Sequence, residues 1–495
     1  MIRADYFQNA RRFCQLMSFI VFLILLLSIS VPAFGAMVLY TYSQDVSPKY
    51  MLVGKEFSGL CHDILVELNK ELQSQGVEIR YKAKDLKSIE EIRKALENNE
   101  IQIFIGHGHS VEVEKKINFV KLPLYASKQM FIVEANTKDK IFEKAVVKIG
   151  AIAGTIPSQN IPQISRKQEV VFYKNLDELY KALEKKEIDA AYAIGLTLGY
   201  LVNQAKGKYV PLNLTSGKFY YYIVLSKNVS QQIVLKIENA LRNLHSKGVI
   251  ESLIKKYNLQ QYVLPGNVVE ILLVDWKPYE WYDTKKGDLV GIDIDVVKSV
   301  FQKIGCKPVF LTFPWQRCLE YMKVQAYDAT MSVSFTQERA EFLIYTSEPL
   351  SSGKAVLFKL KSSNINIQTL ESIPKDTRCG YCDGYGYPEW FWKADFKKIS
   401  LTTDEVGFRL LKDGKIDIFI SNLLVGKYLA KQLNMEVYWS PAYGGVQYYY
   451  IAFSKNYRGN VLADIFSQEL RRFKKTKEYL EILKRYAISY DELWK

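Results

Sequence analysis

The chain has 495 residues, 48% of them hydrophobic and 13% aromatic, and a formal net charge of +14. That length exceeds one ordinary core and predicts two or more domains, while the apolar content excludes a disordered chain. The 67 basic residues are scattered over helix-like stretches without nucleic-acid motifs. The charge therefore reads as a solvated basic surface and not as a nucleic-acid interface.

In chain order, Arg3, Arg11 and Arg12 lead into a nearly unbroken apolar run at residues 19–31. Pro32 and the small-residue stretch Ala33-Phe34-Gly35-Ala36 follow. Residues 1–36 are expected to be a secretory signal peptide. The run is shorter than the ~20 residues of a full span; an uncleaved membrane anchor is the alternative. Five cysteines follow it: Cys61, Cys306, Cys318, Cys379 and Cys382. Export permits disulfides. Cys306 and Cys318 flank an expected strand and are candidates to pair. Cys379 and Cys382 have the spacing of a redox motif or half a zinc site. With four histidines in the chain and no second pair, a local disulfide is expected there instead, with no metal and no cofactor.

The chain repeats itself. Residues 220–228 read Tyr-Tyr-Tyr-Ile-Val-Leu-Ser-Lys-Asn and residues 448–456 read Tyr-Tyr-Tyr-Ile-Ala-Phe-Ser-Lys-Asn, an offset of 228. At the same offset residues 187–191 match residues 415–419. Gly59-Leu60-Cys61 aligns with Gly291-Ile292-Asp293 at a slightly larger one. Each half ends in a basic amphipathic helix, around Leu253 to Tyr257 and around Leu483 to Tyr486. Pro265-Gly266 punctuates the junction. A period this long means duplicated domains, at residues 37–262 and 267–495, and not a solenoid.

Within the second half, residues 269–274 are expected to form a buried strand. Residues 294–304 form an amphipathic helix, with Val296, Val297, Val300, Phe301 and Ile304 on one side. A strand at 308–313, a helix at 315–323 and a strand at 327–334 complete the pattern. The alternation predicts α/β units with mostly parallel sheets and a ligand site beyond the strand ends.

Several segments here carry a resemblance: Pro278-Tyr279-Glu280; Gly291-Ile292-Asp293-Ile294-Asp295; Phe313-Pro314-Trp315-Gln316-Arg317; and Ser332-Val333-Ser334-Phe335-Thr336-Gln337-Glu338-Arg339 with Tyr345-Thr346 after it. In order and separation they resemble the type 2 periplasmic solute-binding proteins, family 3, the polar amino-acid binders. The resemblance implies two tandem modules in the periplasm, each of two α/β lobes joined by a hinge and closing on a ligand. By family position Arg339 grips a ligand carboxylate, an assignment that suits the planar fork of arginine donors. Ser332 and Ser334 would complete the anion's hydrogen bonds, and Trp276 and Trp315 would wall the cleft. Tyr385 falls where the family places a hydroxyl at a second-lobe helix N-terminus. Asn422 stands where the family has an aspartate for the ligand ammonium, and this departure makes standard α-amino acids doubtful ligands.

The first half departs further. Val113 replaces the arginine, Gly106 and Gly108 the serine pair, and Ile194 the aspartate. Thr155 is expected to cap a helix after the glycine-rich turn, and His107 and His109 to line the solvent side of the cleft. The expected function is capture of a small polar solute, an amino acid or related carboxylate, for a membrane transporter or sensor. The alternatives are an interaction or structural protein with degenerate modules, and a periplasmic dehydratase-like enzyme in which Glu280 is the candidate acid.

Overall fold

The computed structural model describes residues 37–155, 158, 161–212 and 217–494. The expected signal peptide lies outside the described residues. Among those residues, no helix is long and apolar enough to cross a membrane.

The second half is built on a ten-stranded sheet running through two lobes. In the first lobe Val268–Leu273 pairs in parallel with Lys307–Thr312 and with Ala329–Ser334. The helix Ile292–Ile304 covers this part, burying Ile292, Val296, Val297, Val300 and Phe301. Those positions recur at helical spacing, and each fully buried side chain of this size contributes ~1.5–3 kcal/mol. Gly305, at φ 80°, ends the helix in the left-handed region. Gly291, at φ 140°, begins it where a Cβ would stand 2.1 Å from the Tyr279 carbonyl oxygen. Gly59 repeats that approach on the Lys49 carbonyl, 2.5 Å away, in the first half.

In the second lobe Arg378–Cys382 pairs in parallel with Lys397–Leu401 and with Ile418–Asn422. Two long strands, Ser351–Leu360 and Val446–Ser454, connect the lobes. They pair with each other near Ser351 and Tyr449, then diverge onto the sheets of opposite lobes. These crossover strands run antiparallel to their neighbours, so the sheet is mixed and not mostly parallel as the βαβ alternation predicts. The first half repeats the plan with crossover strands Tyr125–Glu134 and Lys218–Ser226. The chain is thus two tandem α/β modules. The linker strand Val263–Pro265 adds to the first sheet, beside Tyr125–Glu134.

The expected disulfides do not form: all five described cysteines are free and buried. Cys379 and Cys382 are three apart on one strand, so their side chains point to opposite faces. They sit in different core clusters. Cys306 and Cys318 are likewise divided, one packed with Phe301, the other with Leu272 and Met322.

A buried ionic joint fastens the modules. The Lys218 amine pairs with Asp328 at 2.9 Å and with Glu270, and the Tyr220 hydroxyl donates to Asp328. Arg458 lies over the Tyr220 ring, 4.6 Å from its centroid, and donates to the Gly266 and Val268 carbonyls at 2.6 and 2.7 Å. Burial alone would raise Asp328; Lys218 and Arg458 overcome it and hold the carboxyl below its ordinary range. Nearby, His109 of the first module stacks on Tyr457 of the second, centroids 3.8 Å apart.

Candidate functional site

The strand Ala329–Ser334 ends at the cleft between the lobes of the second module. Ser332 takes a φ of 54°, a bend that few side chains tolerate. Thr336 then caps the short helix Gln337–Ala340, accepting from the Arg339 amide at 3.2 Å. That turn sends the Arg339 side chain back over the strand end. Its Nη1 donates to the Ser334 carbonyl and hydroxyl, both at 2.9 Å, and its guanidinium lies 5.1 Å from the Trp315 ring centroid. Arg339 is only 6% exposed. Burial pushes its pKa down from the ordinary arginine value, yet a guanidinium remains charged at neutral pH. Among the described residues no carboxylate forms an ion pair with it. A buried cation of this kind is costly without an anion.

The other lobe closes over this corner. The Gly384 carbonyl accepts from Arg339 Nη2 and from Trp315 Nε1, each at 2.7 Å. Gln447 Nε2 donates to the Gly386 carbonyl at 3.2 Å. The cleft is therefore closed, with the lobes bridged beside the guanidinium. Tyr385 lies in the loop after Arg378–Cys382, four residues before the helix Glu389–Lys393, and not at a helix N-terminus as expected.

The far wall is aromatic. Trp276 stacks on Tyr279 with centroids 4.5 Å apart and meets Tyr449 edge-on at 5.0 Å. Asn422 is buried beside them. Its Oδ1 caps the helix Leu423–Gln432, and its amide donates to the hydroxyls of Tyr279 and Tyr449 at 3.2 and 3.1 Å. Trp276, Trp315, Ser332, Ser334, Arg339, Tyr385 and Asn422 all line one cavity of roughly 620 Å³, mouth included. The sequence reading omitted Gln447, Tyr449 and Ser421, which line it too. The repeated Tyr-Tyr-Tyr segment was the available signal, since alternation places residues 447 and 449 on one face of the strand.

Beneath the cavity, Ser332 Oγ lies 2.6 Å from Glu280 Oε2 and 2.8 Å from Asp293 Oδ2. A hydroxyl has one proton to give, so the two carboxyls share it, and a proton on either of them would complete the contact. Burial pushes Glu280 well above the carboxylate range and Asp293 up to about 7. The Ser351 hydroxyl donates to Asp293 at 2.8 Å. Glu280 is fully buried and stands behind Ser332, not on the cavity wall.

The corresponding place in the first module is filled from within. The amides of Leu60 and Cys61 bond the carbonyls of Pro48 and Lys49, as those of Ile292 and Asp293 bond Pro278 and Tyr279. Lys49 thus takes the place of Tyr279, and Cys61 that of Asp293. The Lys49 amine bonds Gln44 and lies 5.0 Å from the Tyr221 ring centroid, with its Cε 3.2 Å from where a Gly106 Cβ would be. At Gly108 a Cβ would stand 2.3 Å from the Phe219 ring. His107 is buried, held by Arg93 Nε at 3.2 Å and pushed down to about 4 by burial. His107 and His109 are therefore packing and joint residues, not solvent-lining ones. The Thr155 hydroxyl donates back to the Ile152 carbonyl; the helix it was expected to cap lies outside the described residues. Among the described residues no cluster of three or more His, Cys, Asp or Glu is placed to hold a metal ion.

Comparison with known proteins agrees with this geometry. The pattern of the bacterial extracellular solute-binding proteins, family 3, matches residues 40–260 and again 271–489. The chain belongs to that family. It is similar to the arginine-binding periplasmic protein of Mannheimia haemolytica, 18% identical over 227 residues, 44% of this chain and 92% of that protein. It is 28% identical over 180 residues to the cyclohexadienyl dehydratase of Pseudomonas aeruginosa, 35% of this chain and 66% of that enzyme, just under two thirds of its length. To the histidine-binding periplasmic protein of Escherichia coli it is 30% identical over 148 residues, 29% of this chain and 55% of that protein. Among solved structures, a Streptococcus pneumoniae ABC uptake transporter substrate binding protein with bound histidine is 18% identical, with TM-score 0.41, covering 46% of this chain and 95% of that one.

Proposed function

We propose that the second module captures a small polar solute bearing a carboxylate by cleft closure, outside the cytoplasm, and presents it to a membrane transporter or sensor. The observation that carries this reading is Arg339, a buried guanidinium without a carboxylate partner among the described residues, between two lobes that meet at Gly384. A ligand carboxylate bonded to that fork would supply the missing charge. The relatives that bind arginine and histidine make an amino acid or its analogue the first class to try. The first module has a supporting role, because Lys49 and Phe219 occupy its cleft corner.

Thermal unfolding of the exported chain against amino acids, hydroxy acids and small carboxylates tests this. A ligand at a hundred times its dissociation constant adds about 2.7 kcal/mol. The expected hit disappears in Arg339→Ala; a hit of unchanged size would sink the assignment. A second reading, dehydration of a cyclohexadienyl acid, is favoured by the similarity to that dehydratase and by the proton held between Glu280, Ser332 and Asp293. Because Ser332 separates Glu280 from the cavity, binding without turnover is the reading we adopt. Release of product from prephenate or arogenate would reverse that choice.

A further inference from the structure

The segment that follows the helix Lys477–Arg485 has no part in the cavity wall, yet it is fastened to the place where the second module bends. A turn at Ala487, at φ 55°, closes that helix. Ser489 and Glu492 then cap each other: the Glu492 amide donates to the Ser489 hydroxyl at 3.1 Å and the Ser489 amide to the Glu492 carboxyl at 3.0 Å. This cap starts the short helix Tyr490–Trp494. Leu493 is 1% exposed, and its carbonyl accepts from the Ser352 hydroxyl. The Trp494 ring lies stacked beside Tyr448, centroids 6.4 Å apart. Ser352 and Tyr448 are partners in the short pairing between the two crossover strands. The helix therefore lies across both strands at the point from which they part into opposite lobes.

Its other contacts reach both lobes. Toward the first, Trp494 Nε1 donates to the Tyr479 hydroxyl at 2.8 Å, and the Lys474 amine stands 3.8 Å from the Trp494 ring centroid. Lys474 also bonds the Glu348 carboxyl at 2.8 Å and the Pro349 carbonyl at 2.6 Å, just before the crossover strand Ser351–Leu360. Toward the second, the Ser489 amide and hydroxyl hold the Glu492 carboxyl below its ordinary range, and the charge of Lys427 on the helix Leu423–Gln432 adds to this. On the cavity side of the same strand, the Ser352 carbonyl accepts from the Tyr279 hydroxyl at 2.8 Å, and that hydroxyl accepts from the cavity residue Asn422. A short chain of contacts thus leads from Leu493 to the cavity wall.

The first module has the same place occupied in another way. Tyr220 matches Tyr448 in the repeat, and it pairs with Ala126 as Tyr448 pairs with Ser352. There the linker strand Val263–Pro265 runs along Tyr125–Ser127, with Leu264 opposite Ala126. The segment trailing the first module is built into its sheet by backbone pairing. The segment trailing the second rests on its strands through a hydroxyl and aromatic rings, contacts that can be made and released.

We propose that the helix Tyr490–Trp494 is a strap on the hinge that holds the second module closed, with Leu493 and Trp494 as positioning residues for a cavity they do not touch. This rests on the cleft closure proposed above and is independent of which solute the cleft holds. Contacts made in the closed form and loosened when the strands change their angle shift the equilibrium toward closure. Apparent affinity then falls in proportion to the closed fraction when the strap is removed.

The test is a spin-label distance measurement on the whole exported chain, without ligand, with nitroxides at Val324→Cys and Asp413→Cys. Those exposed positions follow the helices Trp315–Lys323 and Asp404–Lys412, one in each lobe, and the five described native cysteines are buried. The expected result is a short distance in the otherwise unaltered chain and a shift of more than about 2 Å to longer distance in a chain ended after Ile488. Trp494→Ala and Ser352→Ala are expected to shift it the same way by less, and Trp494→Phe, which keeps a ring over Lys474, to leave it in place. Ser352→Ala removes one hydroxyl and no segment, so it decides the matter where the cut chain does not fold. Equal distances in the unaltered chain, the cut chain and Ser352→Ala would overturn the inference. Cleft closure fails separately, if the amino acids, hydroxy acids and small carboxylates of the thermal screen leave the distance unmoved in the cut chain as well.

Discussion

Where the second module ends its cleft strand with Ser332 and Ser334, the first has Gly106 and Gly108; where the second has the acid Asp293, the first has the thiol of Cys61. The backbone at the bend is shared, since Gly106 has a φ of 93° and Ser332 one of 54°. What differs is the content. In the second module hydroxyls, aromatic rings and a guanidinium line a cavity, with carboxyls behind its wall. In the first, Lys49 lies among aromatic rings and Phe219 covers the strand end. One fold thus has two outcomes, and side chains at a few matched positions decide whether the cleft corner is a cavity or a core.

The strongest way to break this arrangement is at the joint between the modules. Asp328→Ala leaves the buried Arg458 without its anion and Lys218 with Glu270 alone. Losing one partner of such a group is expected to cost about 3–5 kcal/mol in chemical denaturation. It also separates the unfolding of the two modules into two transitions.

The two clefts are expected to titrate in opposite senses. Burial lowers Lys49 to about 8, so the unfolded chain binds more protons from there up to the ordinary lysine range near ~10.4. Stability from this group therefore rises with pH across that window. Lys49→Met removes the rise and adds about 2 kcal/mol at pH 7, measured by urea denaturation at several pH values. Asp293 is raised to about 7, so its contribution is present below the unfolded carboxylate value of ~3.9 and is lost as pH rises through 7. Asp293→Asn flattens that fall, an effect on the order of 2 kcal/mol across the window, read from melting curves between pH 4 and 8.

The smallest expected effect is at the stacked pair. Tyr457→Ala removes the ring beneath His109, with an expected loss of about 1 kcal/mol and no change in ligand binding.

That the seven expected residues converge on one cavity was legible because they fall in short motifs whose spacing survives in one chain. Ser332, Ser334 and Arg339 follow each other on a strand and its next turn. Ser421 was not legible: it is distant in sequence from those motifs and reaches the cavity wall only through the fold. The cysteine expectation failed because spacing alone ignores strand alternation, which turns Cys379 and Cys382 away from each other. His107 looked like a cleft residue because its neighbours are glycines, yet it is buried edge-on against the rings of Phe104 and Phe119. The tandem arrangement itself was plain, since matched segments recur at a nearly constant offset.

The most direct measurement of the central claim is the stoichiometry and affinity of one titration, performed on the wild-type chain and on Arg339→Ala with the compound that gives the largest thermal shift. The account predicts one molecule bound per chain and a loss of at least about a hundredfold in affinity on removing the guanidinium. Two molecules per chain, or an affinity indifferent to Arg339, would contradict it.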